Sequence, residues 1–178
     1  MNLYMYQRIV GTGVLALHVL LVLVLAYFVY RKLSGKKCEK LENFVYEQRM
    51  RFVFVFGLFA TIGSFIFSDV YFVEPCKLCW FQRAFVYPQV IIAGVALMKR
   101  DISAWLNLRI MSIIGLVIAV YQMMAQFGVS ALPKLACVAE AGADCAKITM
   151  LEYGYITIPV MSATFFLVVI LLSLMKRK

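Results

Sequence analysis

The sequence predicts an all-α membrane protein, and three observations carry that reading. Hydrophobic residues make up 64% of the 178-residue chain and charged ones only 15%, far from the roughly 45–50% apolar content of soluble domains. Five apolar runs, Ile9 to Tyr30, Phe52 to Phe72, Leu78 to Met98, Leu108 to Phe127 and Ile156 to Met175, are long enough to cross a layer that takes about 20 helical residues. The short alternating segments of a membrane barrel do not occur, so each span is expected to satisfy its own backbone as a helix.

The basic residues orient these spans. With the N-terminus outside, thirteen of the 18 Lys and Arg fall on inner segments, leaving Arg8, Lys77, Arg83, Lys134 and Lys147 outside. That positive-inside bias puts the C-terminus on the cytoplasmic side. The formal charge of +9 is accounted for by this topology and by anionic inner-leaflet lipid, so no nucleic-acid partner is needed.

The first run, with one early basic residue and no small-residue cleavage site before Arg31, is too long for a signal peptide and predicts a retained helix. Arg31 to Arg51 follows as a basic inner linker, its second half, "KLENFVYEQRMR", expected as an amphipathic helix at the interface. Residues 1–50 thus form an N-terminal helix and linker, and residues 51–178 a second unit.

The third run opens on "EPCKLCWFQR", where Cys76 and Cys79 stand three apart. By topology Cys76, Cys79, Cys137 and Cys145 lie outside and Cys38 inside, which puts an even number of thiols in an oxidising compartment and leaves Cys38 a reduced bystander. Two structural disulfides are one reading. The ring closed by a Cys76–Cys79 bond is so small that it constrains the unfolded chain little, which favours a redox couple. Pro75 suits the first position of a helix and puts both cysteines in its opening turns, where free N–H groups favour a thiolate. Arg83, four residues after Cys79 and seven after Cys76, shares their face, in reach of the sulfur and of a ligand oxygen. The alternative for Arg83 is snorkelling to the headgroups.

Gln82, beside Arg83, and Gln122 with Gln126 near the outer end of the fourth run set three amides and a cation at one membrane depth. They predict a polar pocket just beneath the outer surface, although helix ends commonly carry such residues. Pro88 falls inside the third span and is expected to bend it. Asp69 and Tyr71, near the outer end of the second span, either line the pocket or mark the interface. His18, the only histidine, is expected to be a packed residue of the first helix. The outer segments "VSALPKLA" and "KITMLEYGY" are apolar enough to rest on the membrane surface.

"PCKLCWFQR" opening a membrane helix, the loop "CVAEAGADC", and "GYITIPVMSATFF" opening the last helix together resemble the DsbB family of disulfide-bond formation proteins, nearer its Gram-positive-type members. The resemblance covers roughly Arg51 to Lys178. It implies a four-helix transmembrane bundle, here with one additional N-terminal helix, in a bacterial cytoplasmic membrane. It also implies a thiol:quinone oxidoreductase that reoxidises an extracytoplasmic thioredoxin-like, DsbA-like oxidase and reduces a ubiquinone or menaquinone. Carried over by position, Cys137 receives the partner's thiolate, Cys145 exchanges with Cys76, and Cys79, with Arg83, faces the quinone; the role of a pocket histidine found in some relatives is either absent here or filled by Gln82, Gln122 or Gln126.

Three other readings compete. A metal site has only half its motif, since the spacing from Cys137 to Cys145 is not the usual second zinc knuckle and no histidine lies outside. A non-enzymatic scaffold with structural loop disulfides predicts that losing Cys79 costs stability alone. A vitamin K epoxide reductase-like enzyme shares the chemistry but differs around the cysteines.

Overall fold

The computed structural model describes residues 2–34, 39–99, 101, 103–128 and 145–175. Among them five α-helices follow in order: α1 (Leu3–Ser34), α2 (Glu39–Phe65), α3 (Lys77–Lys99), α4 (Ala104–Gln126) and α5 (Ile158–Leu174). Four stretches, Leu3–Arg31, Glu42–Val70, Lys77–Lys99 and Ala104–Gln126, are long and apolar enough to cross a bilayer, and α5, with 17 residues, stands at the short end of the spanning range. The chain is a multi-pass membrane protein. Cys38, Cys137 and the segment "VSALPKLA" lie outside the described residues.

The second half of the linker differs from expectation. It is not a separate interfacial helix but the first turns of α2, which starts at Glu39. From Lys40 to Arg51 no Gly or Pro interrupts the chain, and Glu, Lys, Leu, Gln and Arg all propagate a helix well. The expected division after residue 50 therefore falls inside one helix. At its far end α2 widens into a π-turn over Ile66–Val70, where the Tyr71 N–H reaches back to the Ile66 carbonyl at 3.2 Å. Phe72 then takes a φ of +52° and turns the chain toward α3.

Helices α2 to α5 form the bundle. On α4 the buried residues Leu108, Ser112, Gly115, Ala119 and Gln122 recur at alternating steps of four and three, a single seam with small residues at its centre. Without water to drive helix association, close backbone approach across such a seam supplies the van der Waals contact that holds the helices together. Gly115 shows how close: a Cβ built there would lie 2.3 Å from a ring carbon of the fully buried Phe166 on α5.

Polar links reinforce the seam. Pro88 leaves α3 one amide short, but α3 runs on through it to Lys99. Gln89, next in sequence, donates its side-chain amide to the Phe85 carbonyl at 2.9 Å and accepts from Ser112 Oγ of α4 at 3.0 Å, so that one buried amide ties α3 to α4. At the end of the bundle opposite Cys76 and Cys79, Arg49 donates to the Met175 carbonyl at 2.7 Å and Arg109 to the Ser173 carbonyl at 2.7 Å. Two cations thus cover the last carbonyls of α5.

The segment "KITMLEYGY" closes a tight turn. Glu152 and Ile156 exchange backbone hydrogen bonds of 3.0 and 2.9 Å across a tight turn in which Tyr153 and Gly154 both have positive φ. This turn drives Met150, Glu152 and Ile156 inward, where each is at most 6% exposed. Leu151 and the two tyrosine rings remain outside.

Candidate active site

The entry to α3 positions the first two sulfurs. Pro75 precedes the helix instead of opening it, and Cys76 takes the capping position: its carbonyl accepts the Trp80 N–H at 3.1 Å and its sulfur accepts the Cys79 N–H at 3.4 Å. A serine hydroxyl plays the same part at many helix starts. Capping sets Cys79 one turn inside the helix and turns both side chains together. Cys76 Sγ lies 3.0 Å from Cys79 Sγ and donates to it. This hydrogen bond and burial push the Cys76 thiol up from its ordinary value, so Cys76 keeps its proton and offers it to Cys79.

Gln122 joins this pair to the other elements. Its side-chain N–H group reaches Cys76 Sγ at 3.2 Å, Cys79 Sγ at 3.5 Å and the Cys145 carbonyl at 3.5 Å, while its Oε1 accepts from Gln82 Nε2 at 2.7 Å. Cys145, only 2% exposed, packs with Cys76, Leu78 and Cys79, and its side chain hydrogen-bonds to Cys76. Three of the four outer cysteines named from the sequence therefore meet around one amide.

Arg83 departs from the expected geometry. Its guanidinium does not turn back to Cys79 but crosses to α2, donating to the Ser64 carbonyl at 3.2 Å and Ser68 Oγ at 3.3 Å and lying over the Trp80 ring at 5.2 Å. Both acceptors stand at the junction of α2 with its π-turn. The donor beside the sulfurs is the Gln122 amide, a neighbour that side-chain spacing within α3 could not reveal. Asp69 accepts from Ser68 Oγ at 2.7 Å, and Tyr71 packs on Tyr6, 5.3 Å between ring centres.

Several of these groups line one partly enclosed cavity of about 680 Å³. Cys76, Cys79, Gln82, Arg83, Gln122 and Gln126 line one end of it. The other end is hydrocarbon, formed by residues such as Phe56, Phe59, Phe165 and Val168. Among the described residues, Gln82 Oε1 and Gln126 Oε1 are buried acceptors with no partner, and a buried carbonyl left unpaired costs about 1–3 kcal/mol. The cavity therefore fits a ligand with polar oxygens at one end, at least one of them able to donate, and an apolar body. Gln122→Leu is expected to leave Gln82 Nε2 unpaired as well and to lower stability by about 1–3 kcal/mol. A thermal melt, together with the alkylation rate of Cys79, checks that expectation.

Residues 47–176 match the family described as "Disulfide bond formation protein DsbB". The chain is 36% identical over 129 residues to "Probable disulfide formation protein" of Oceanobacillus iheyensis, covering 72% of this chain and 88% of that protein. It is 37% identical over 115 residues to "SPbeta prophage-derived disulfide bond formation protein B" of Bacillus subtilis, covering 64% of this chain and 75% of that one. With "Probable disulfide formation protein C" of Halalkalibacterium halodurans it shares 32% identity over 124 residues, 67% of this chain and 85% of the relative. No solved structure matches the chain significantly.

Proposed function

The chain belongs to the DsbB family of disulfide bond formation proteins, and from that premise we propose that it oxidises an extracytoplasmic thioredoxin-like dithiol protein at the expense of a membrane quinone. A role in disulfide bond formation comes with the family. The specific electron path rests on one observation above all: the Cys76 and Cys79 sulfurs sit 3.0 Å apart at the polar end of a cavity whose other end is hydrocarbon.

Cys137 and Cys145 start as a disulfide. A partner thiolate attacks Cys137, forming a mixed disulfide and releasing Cys145 as a thiolate; the partner's second thiolate then attacks its own sulfur in that bond, so the partner leaves oxidised and Cys137 leaves as a thiolate. Cys145, already against Cys76, attacks Cys76 of the Cys76–Cys79 disulfide and expels Cys79. The Gln122 N–H groups hydrogen-bond to that sulfur and receive its charge. Attack of Cys137 on Cys145 restores the outer disulfide and frees Cys76, which protonates and donates to Cys79.

Arg83 would donate to a ring oxygen of a quinone, Gln82 Oε1 and Gln126 Oε1 would accept from the hydroxyl groups of its reduced form, and the hydrocarbon end would hold its tail. When bound, the quinone supplies an acceptor for the two electrons and two protons released as Cys76 and Cys79 return to their disulfide. The membrane is then the bacterial cytoplasmic membrane, with the cysteines facing outward and the C-terminus in the cytoplasm.

Trapping tests the exchange sequence. Cys145→Ala leaves Cys137 without its disulfide partner, so the purified variant, with Cys137 preactivated as a mixed disulfide with a small aromatic thiol, is expected to form a covalent adduct with a thioredoxin-like partner that keeps its attacking cysteine and lacks the second one, whose thiolate would otherwise release it. Reductant should release it, and peptide mapping should find the linkage at Cys137. An adduct at Cys76 or Cys79 instead would overturn the order of steps.

A further inference from the structure

Helix α1 lies outside the residues matched to the family, and its placement gives it a part in the site. Tyr6, Val10, the adjacent Gly13 and Val14, and Leu17 follow one face of a helix, and that face lines the cavity that holds Cys79. The groove between α2 and α5 is closed on this side by α1. The opposite face of α1 is lipid-like: Val19 and Val22 are each more than half exposed.

What holds α1 there is polar and specific. Tyr6 donates to the Gly63 carbonyl of α2 at 2.8 Å, Arg8 pairs with the buried Glu152 at 3.3 Å, and Thr12 Oγ1 meets the Tyr153 hydroxyl at 2.7 Å. His18 Nε2 lies 2.7 Å from Thr164 Oγ1, whose own hydrogen goes to the Val160 carbonyl at 2.8 Å. Nε2 is therefore the donor, and Nδ1 accepts from the Tyr155 hydroxyl at 3.0 Å. The tight turn at residues 152–156 is the dock for this helix, and Gly11 lets it come close, since a Cβ there would lie 2.9 Å from Glu152 Cβ. Two residues on, at Gly13, an added Cβ meets nothing within 4 Å: α1 is pinned along its flank and stands clear of the bundle where the cavity runs.

We propose that α1 is the lateral wall of the acceptor site and that its Tyr6–Leu17 face selects the acceptor by its hydrocarbon tail, admitting a prenylated quinone whose chain lies between α1, α2 and α5. This deepens the quinone reading and rests on it. The polar end alone would serve a tail-less quinone equally well; discrimination by the tail is the work of α1.

Gly13→Phe tests the wall, because its ring projects into the open space of the cavity. Binding of a prenylated quinone and of the same ring without a tail is measured by quenching of tryptophan fluorescence, and KM for each by quinone reduction. Val22→Phe, on the lipid face, is the control. Gly13→Phe is expected to weaken the prenylated quinone by at least about tenfold in both measurements, to leave the tail-less ring within about twofold, and to leave Cys79 alkylation as in wild type; Val22→Phe should match wild type throughout. Should Gly13→Phe not accumulate in the membrane, Val14→Phe, its neighbour on the same face, gives the same readout. Unchanged affinity for the prenylated quinone, or equal weakening of both ligands, overturns the wall while the quinone reading stands. A wild-type protein that neither binds nor reduces any quinone overturns both.

Discussion

Cys79→Ser is expected to reduce quinone turnover to background while the protein remains folded. A serine oxygen cannot close a disulfide with Cys76, so no two-electron donor faces the cavity. The substitution removes little else. The Gln122 N–H group still has Cys76 Sγ at 3.2 Å and the Cys145 carbonyl at 3.5 Å, and Cys79 is not one of the residues that seat α4 on α5. The melting temperature should therefore move by no more than the equivalent of about 1 kcal/mol. Quinone absorbance followed anaerobically with a reduced thioredoxin-like partner, beside a thermal melt, checks both halves. A scaffold with inert loop disulfides expects the reverse, a loss of stability with no electron flow to lose.

The largest effect on the fold is expected at Gly115. A Cβ there already falls 2.3–2.6 Å from three Phe166 ring carbons, against an optimal carbon separation of about 3.5–4.0 Å. Phe166 is 0% exposed. Gly115→Leu should force α4 and α5 apart and destabilise by about 3 kcal/mol or more. Gly13→Ala is its counterpart: with open space around the new methyl, the gain in helix propensity, at most about 1 kcal/mol, should leave the protein equal or slightly more stable. Denaturant or thermal unfolding of the two variants side by side gives the comparison.

Much of this was legible in the sequence because membrane helices advertise themselves. Apolar runs fixed the number of spans to within the short α5, and the depth of Gln82, Arg83, Gln122 and Gln126 along their helices marked a polar end, since depth depends only on position within a span. Azimuth was not legible. That Gln122 turns toward Cys76 depends on how α4 packs against α3, which no spacing within one helix encodes. Nor does spacing within α3 show that Arg83 reaches across to Ser64 and Ser68 instead of back to Cys79. The interfacial helix expected from "KLENFVYEQRMR" merged with α2 because local charge pattern says nothing about where a helix stops when no breaker follows. Least visible was the docking of α1, which needs the turn at Tyr153 and Gly154 to bring three polar groups to one flank of a distant helix. His18 sat in the sequence as a lone polar residue whose partners, Tyr155 and Thr164, lie 137 and 146 positions away.

The account stands on the Cys79 sulfur facing a lipid-soluble ring in this cavity. The most direct measurement is the alkylation rate of Cys79 in a Cys76→Ser, Cys137→Ser, Cys145→Ser background, with and without a saturating, fully substituted prenylated quinone. Strong protection by the quinone, lost when the cavity is filled by Gly13→Phe, is the expected result. An alkylation rate indifferent to quinone would mean that the acceptor binds elsewhere, and the electron path through Cys79 would have to be abandoned.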